Sequence, residues 1–248
     1  MIGDAHVHVG YYPRLGYAEP FYYSPRRVLG ILDRAGVDGF VFSSTNAVWD
    51  FDGAAMHREA REMLRLAGKR AHAFFWVTDE YLKRDPDLEK LPGFYEGLKL
   101  HGGETPWLRR PAMLERVLAI ARERKWSIQI HTGEKDDKNA NPISGYLPWC
   151  RKFPELNFDL AHGKPADEVA PAVNDHGNVY VDCAYCDVSV VRSWLAAGAR
   201  PERLLFGSDL PVQQRLFDIS LTQYLRRAVR DFAALKLPER NFEEFVSR

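Results

Sequence analysis

Short apolar runs that end in a polar or turn residue recur along the whole chain, separated by stretches whose apolar residues fall at helical spacing. The strand-like runs are Ile2–Val9, Gly39–Ser43, Ala71–Thr78, Gly97–His101, Ser127–Thr132, Asn157–His162, Val179–Ala184 and Leu204–Ser208. Most are rich in β-branched or aromatic residues, and most stop at Gly, Ser, Thr or Asp, the punctuation expected of strands. Between them lie helical patterns. Pro25–Arg34 follows Ser24 as N-cap, has Pro at its first position and is closed by Gly36. Ala54–Ala67 carries Met56, Ala60, Met63 and Leu64 on one side and stops at Gly68. Pro111–Arg124 carries Met113, Leu114, Val117, Leu118 and Ala121, with a basic end that suits the helix dipole. Val188–Ala197 and Ile219–Leu235 complete the clear helices. Gly145–Phe153 and Pro165–Asn174 are weaker, and Pro86 interrupts the crossover Asp79–Leu91.

Strands alternating with helices imply a parallel sheet. Eight such units in 248 residues predict an α/β protein, a single (β/α)8 TIM barrel spanning 1–248. The competing architecture, an open doubly wound sheet, should carry a Gly-rich phosphate turn after its first strand, and the loop after Val9 has none.

Composition narrows the class. Hydrophobic residues make up 46% of the chain and charged residues 27%, enough apolar surface for a large core and too much for disorder. The 34 basic residues balance the 34 acidic ones, which argues against nucleic acid or an anionic membrane as partner. No apolar run reaches the roughly 20 residues of a membrane span. The start of the chain enters a strand directly rather than a basic and apolar leader. The expectation is a soluble, cytoplasmic protein. Cys150, Cys183 and Cys186 do not form a disulfide framework; Cys183-x-x-Cys186 has no second pair and reads as reduced thiols.

The polar residues at the strand ends carry the chemistry. In Asp4-Ala5-His6-Val7-His8, alternation puts Asp4, His6 and His8 on one face. Two imidazoles at i and i+2 can close on one cation. The fourth strand puts Lys99 and His101 on one face; the fifth ends with His131, the sixth with His162 and the eighth with Asp209. In a β/α barrel these ends build the active site. Five of the eight histidines fall there, and burying them without metal or partners would cost several kcal/mol. His57, His72 and His176 lie elsewhere and read as surface or satisfied residues.

The order His6-x-His8, Gly97-x-Lys99-x-His101, His131, His162 and Gly207-Ser208-Asp209-x-Pro211 resembles the amidohydrolase superfamily. Within it the chain is most similar to the second family, that of the aminocarboxymuconate-semialdehyde-decarboxylase-like metal-dependent hydrolases. The resemblance covers nearly the whole chain. It implies that His6, His8, His131 and Asp209 bind one divalent ion, usually zinc, and that His162 polarises substrate or binds a second metal. It also places Lys99 where binuclear members carry a carboxylated lysine, so that two ions, with Lys99 and His162 as further ligands, are the alternative to one. A free Lys99 ammonium binding a substrate carboxylate or an internal acid is preferred. The TatD-like nucleases also begin with such a histidine pair, but they have Glu on strand four and a different final motif.

These residues lead to a metal-dependent hydrolase acting on a small amide, lactone or ester, with Asp209 as general base and His162 steadying the oxyanion. The alternatives are a metal-dependent decarboxylase or hydratase of a small unsaturated or aromatic acid, and a non-catalytic binding protein on the same fold. Trp76, Lys99, His101, Glu134 and Tyr185 are the candidate substrate contacts. The aromatic segment Tyr11–Tyr23 can wall a pocket for a planar substrate or pack, also at a homodimer interface. The polar loop Glu134–Pro148 has the length of a lid.

Overall fold

The computed structural model describes residues 2–12, 20–49, 52–84, 87–135, 141–184, 186–212 and 220–247. Eight strands run parallel: β1 (Gly3–Tyr12), β3 (Gly39–Ser44), β4 (Ala71–Val77), β5 (Tyr95–His101), β6 (Ser127–His131), β7 (Phe158–Ala161), β8 (Val179–Asp182) and β9 (Leu204–Leu205). Each pairs with the next. The last returns to the first: Ala5 N–H donates to Phe206 O and His8 N–H to Leu210 O, both at 2.7 Å, and Asp209 N–H donates to His6 O at 2.8 Å. Isolated parallel bridges Asp4–Phe206 and Val7–Leu210 complete the closure. The sheet is thus a barrel of the predicted TIM type.

The differences from the sequence pattern are local. β1 does not end at Val9. It passes Gly10, whose φ of 113° few other residues adopt, and reaches Tyr12. There it pairs antiparallel with a short ninth strand, β2 (Phe21–Tyr23). The expected strand Leu204–Ser208 is regular for only two residues, because its end turns into the site, with Asp209 at φ 54°.

The helices match the pattern closely. α1 (Pro25–Ala35) starts where Ser24 Oγ accepts from Arg27 N–H at 3.3 Å and ends at Gly36 in the left-handed region. α3 (Gly53–Ala67) and α5 (Pro111–Arg124) bury the predicted apolar stripes. α2 (Asn46–Trp49) is too short to have shown a helical period. α4 covers Asp79–Arg84. The weak patterns are helices α6 (Ile143–Lys152) and α7 (Val169–Asp175), and α8 (Val188–Ala196) and α9 (Leu221–Ala233) follow. Their apolar faces pack on the outward strand residues, among them Val7, Phe42, Phe75, Leu98, Ile130 and Leu160.

The inward residues form layers. At the N-terminal end of the strands, Ala5, Val41, Phe74, Tyr180 and Leu205 pack against Phe242 and Phe245 of a final helix, α10 (Asn241–Val246). Ser127 Oγ donates to Phe245 O at 2.8 Å and fixes this plug. Above it the interior turns polar, with Lys99, Gln129, Asp159 and Asp182 all buried. Among the described residues no helix is long and apolar enough to cross a membrane.

Candidate active site

The C-terminal mouth of the barrel holds a cavity of about 390 Å3 lined by His6, His8, Trp76, Lys99, His101, His131, His162 and Asp209, with Tyr12, Glu104, Thr132 and Lys164 around them. Ligand atoms of His6, His8 and Asp209 all lie within 4.8 Å of one another. Asp209 Oδ1 is 3.1 Å from His8 Nε2 and 3.6 Å from His6 Nε2. His131, the fourth expected ligand, stands outside this group. Its ring stacks on His101, centroids 3.9 Å apart, and meets His162 edge-on at 4.3 Å. His101 and His131 are direct neighbours on adjacent strands, and both line the cavity with this group.

Each ring in the group is oriented from behind. His6 Nδ1 lies 2.9 Å from Asp182 Oδ2. Burial alone would raise the pKa of Asp182, but His6 and the contacts around it outweigh that and hold it well below the carboxylate range. An ionised Asp182 fixes the proton on His6 Nδ1 and turns the Nε2 lone pair inward. Burial, with Lys99 adding to it, pushes His6 down to about 3, so the ring is a neutral ligand. His8 Nδ1 lies 2.9 Å from Ser43 Oγ; a hydroxyl both donates and accepts, so Ser43 supports either tautomer. Asp209 is held ionised as well: burial opposes this, but His6 and His8 more than offset it. Such carboxylate and hydroxyl partners behind ligating imidazoles are usual at metal centres. The donor set therefore fits a divalent cation.

Close backbone approach makes this arrangement possible. A Cβ on Gly207 would lie 3.0 Å from Asp182 Cγ and 3.1 Å from His6 Cβ, so the Gly before Ser208 lets the β9 end close over the His6–Asp182 pair. Asp4 Oδ1 accepts from both His6 N–H and Ser208 N–H, at 3.1 and 2.9 Å. It thereby joins the first and last strands directly below the group; burial raises it to about 7.

Lys99 is fully buried and its Nζ lies 2.9 Å from His6 Nε2. Burial pushes it down to about 8, against the pull of Asp182, Asp209 and Asp159. Its ammonium and a cation compete for the same His6 lone pair. His162 has its Nδ1 2.9 Å from Ala184 O. That carbonyl can only accept, so the proton is on Nδ1, and Nε2 of the neutral ring is a lone pair. This Nε2 is buried and without a hydrogen-bond partner.

Of the other expected contacts, Trp76, Lys99 and His101 line the cavity, and Trp76 stacks on His101 at 5.6 Å. Glu134 is exposed and does not line it. Tyr185 lies outside the described residues, as do the centres of the Tyr11–Tyr23 and Glu134–Pro148 segments. Tyr12 reaches the cavity and stacks on Phe21 at 4.8 Å, so this end of the aromatic segment both packs and faces the pocket. His57 and His72 are satisfied, by Tyr95 Oη and by Glu96. Sequence reasoning did not single out Ser43, Asp182, Glu104 or Lys164. Asp182 carried a signal: it ends a strand on the inward face, like the histidines.

The amidohydrolase family model matches residues 4–243, and the chain belongs to this family, the second of the amidohydrolase superfamily, whose members are metal-dependent enzymes. Among solved structures it is similar to a probable 2-pyrone-4,6-dicarboxylic acid hydrolase from Acinetobacter baumannii, crystallised with citric acid. That likeness has 14% identity and a TM-score of 0.61, over 100% of this chain and 99% of that one. A 5-carboxyvanillate decarboxylase from Novosphingobium aromaticivorans, crystallised with manganese and 4-hydroxy-3-methoxy-5-nitrobenzoic acid, is 11% identical. Its TM-score is 0.60, over 92% of this chain and 79% of that one. A 2,6-dihydroxybenzoate decarboxylase from Rhizobium is 12% identical with a TM-score of 0.55, over 99% of this chain and 96% of that one. At these identities the likeness is one of fold. Comparison with curated proteins gives no match.

Proposed function

We propose that the protein hydrolyses a small carbonyl compound, an amide, lactone or ester, with His6, His8, His131 and Asp209 holding one divalent cation. One observation carries this reading: the Asp209 carboxylate, held ionised and so a proton acceptor, lines the pocket beside the buried, unpartnered Nε2 of His162. Hydrolysis needs a group that takes a proton from water, whereas decarboxylation needs one that delivers a proton to carbon. A cation bound at this group would act as a Lewis acid on the carbonyl oxygen and make water more acidic. Asp209 takes the proton of the attacking water and passes it to the leaving group. His162, its ring held by Ala184 O, takes up a proton from solvent at Nε2 before water attacks, donates a hydrogen bond from it to the developing oxyanion, and keeps that proton as the intermediate collapses. Zinc suits imidazoles and a carboxylate. Manganese, present in the carboxyvanillate decarboxylase structure, is the second candidate.

The cavity of about 390 Å3 suits a small molecule. A second reading, decarboxylation of a small aromatic acid, is favoured by the stacked rings of Trp76, His101 and His131, which offer a flat wall to a planar substrate. The metal-loaded enzyme assayed on lactones, amides, esters and aromatic acids separates the two. Turnover of a lactone, amide or ester is expected, and D209N should slow it by about 100-fold or more. Release of carbon dioxide with no hydrolysis of any of these compounds would refute the first reading. A D209N variant at full rate would remove Asp209 from the mechanism.

A further inference from the structure

The cavity contains a second cation, and nothing in the chemistry above uses it. Lys164 follows His162 and Gly163 at the end of β7 and lines the same cavity as His6, His8 and Asp209. Its backbone is pinned on both sides. Its N–H donates to Thr132 Oγ1 at 3.1 Å, Thr132 Oγ1 donates in turn to Ala161 O at 2.6 Å, and Lys164 O accepts from Ile143 N–H at 3.1 Å. The turn before it is equally fixed. His162 and Gly163 both have positive φ, 73° and 57°, and a Cβ on Gly163 would lie 2.4 Å from the Trp194 ring. Lys164 therefore enters the pocket from a rigid support.

The other lysines at or near the site have partners. Lys99 is occupied by His6 Nε2 and three buried carboxylates, and Lys135 pairs with Glu168 at 2.6 Å. Among the described residues Lys164 makes no ion pair. Two carboxylates line the cavity: Asp209, which belongs to the metal group, and Glu104, which follows β5, two strands away. A partly buried lysine on a fixed backbone, lining a cavity of small-molecule size, is a recognition element for an anion.

We propose that Lys164 binds a carboxylate of the substrate other than the group that reacts, so that the substrate is a small organic acid spanning Lys164 and the His6–His8–Asp209 group. The inference rests on the reading of that group as the reaction centre, but not on which reaction occurs there.

The test uses isophthalate, a rigid ring with two carboxylates, and its neutral diamide, titrated calorimetrically into the metal-loaded enzyme and into K164M and K164R. Loss of one charge-assisted hydrogen bond should weaken isophthalate about 10- to 100-fold in K164M. K164R, which keeps the charge, should stay within about tenfold of the wild type. The diamide should bind both proteins alike, and metal content should not change. Isophthalate binding K164M as tightly as the wild type would overturn the proposal, as would a wild type that does not prefer the dianion to the diamide. Metal lost from K164M would also overturn it, since the residue would then act through the metal group. Failure of the hydrolytic reading shows separately, as absence of turnover in the substrate screen with the isophthalate difference intact.

Discussion

Replacing Asp182 by Asn tests the reasoning about ligand orientation most directly. Asp182 touches neither the cavity nor any substrate that would occupy it, yet it sets which nitrogen of His6 carries the proton. Its Oδ1 accepts from His162 N–H at 2.9 Å and from Ala184 N–H at 2.8 Å, while Oδ2 faces His6 Nδ1 at 2.9 Å. In D182N the amide oxygen is retained by the two backbone donors, which leaves the NH2 pointing at His6 Nδ1–H. Two donors cannot share that contact. His6 must move its proton to Nε2, which abolishes the inward lone pair. Loss of such a partner behind a ligand typically lowers metal affinity about 10- to 100-fold, or about 1.4–2.8 kcal/mol. Because His6 supplies one of the three ligand atoms grouped among the described residues, the upper end is expected. The assay is a competition titration of zinc or manganese against a chromophoric chelator, for wild type and D182N. Circular dichroism of both proteins checks that the two backbone hydrogen bonds still hold the β8 end. An affinity within about twofold of wild type, far inside that range, would refute the claim that Asp182 sets the His6 tautomer.

Two further outcomes follow from the scaffold. F245A removes a ring that is fully buried in the plug below the barrel and should cost about 3–5 kcal/mol in denaturant unfolding. Metal affinity should stay unchanged, because the site lies at the opposite end; a parallel loss of metal would show that the ends are coupled. Glu59 ties the β1–β2 hairpin to β3 by accepting from Tyr22 Oη at 2.9 Å, Asn46 Nδ2 at 3.0 Å and Ser44 Oγ. E59Q turns an amide NH2 toward one of these donors and should cost about 1–3 kcal/mol at acid pH. Burial raises the pKa of Glu59 above its ordinary 4.5, so the wild type loses stability as pH rises through and above that value. The variant has no such group, and its deficit should narrow over that window; a deficit that stays constant with pH would contradict the raised pKa.

Local pattern settled much of this protein. The eight strand positions, the capped helix after Ser24 and the stripe along Pro111–Arg124 were legible because alternation and helical spacing are properties of short segments. The same alternation put His6, His8, Lys99, His101, His131 and Asp209 at strand ends, and closure of the barrel makes strand ends converge. What pattern could not give were relations between segments. That β1 runs on to Tyr12 depends on a partner strand beginning at Phe21. That Phe242 and Phe245 plug the barrel depends on the end of the chain folding back beneath β1 and β4. Above all, the sequence could list histidines but not their roles. Register sets His131 beside His101 on the neighbouring strand, where their rings stack. The proton positions on His6 and His162 are set by Asp182 and Ala184, residues 176 and 22 positions away. Ligand geometry and tautomer are fixed by contacts across the closed sheet, and such contacts exist only once the strands have paired.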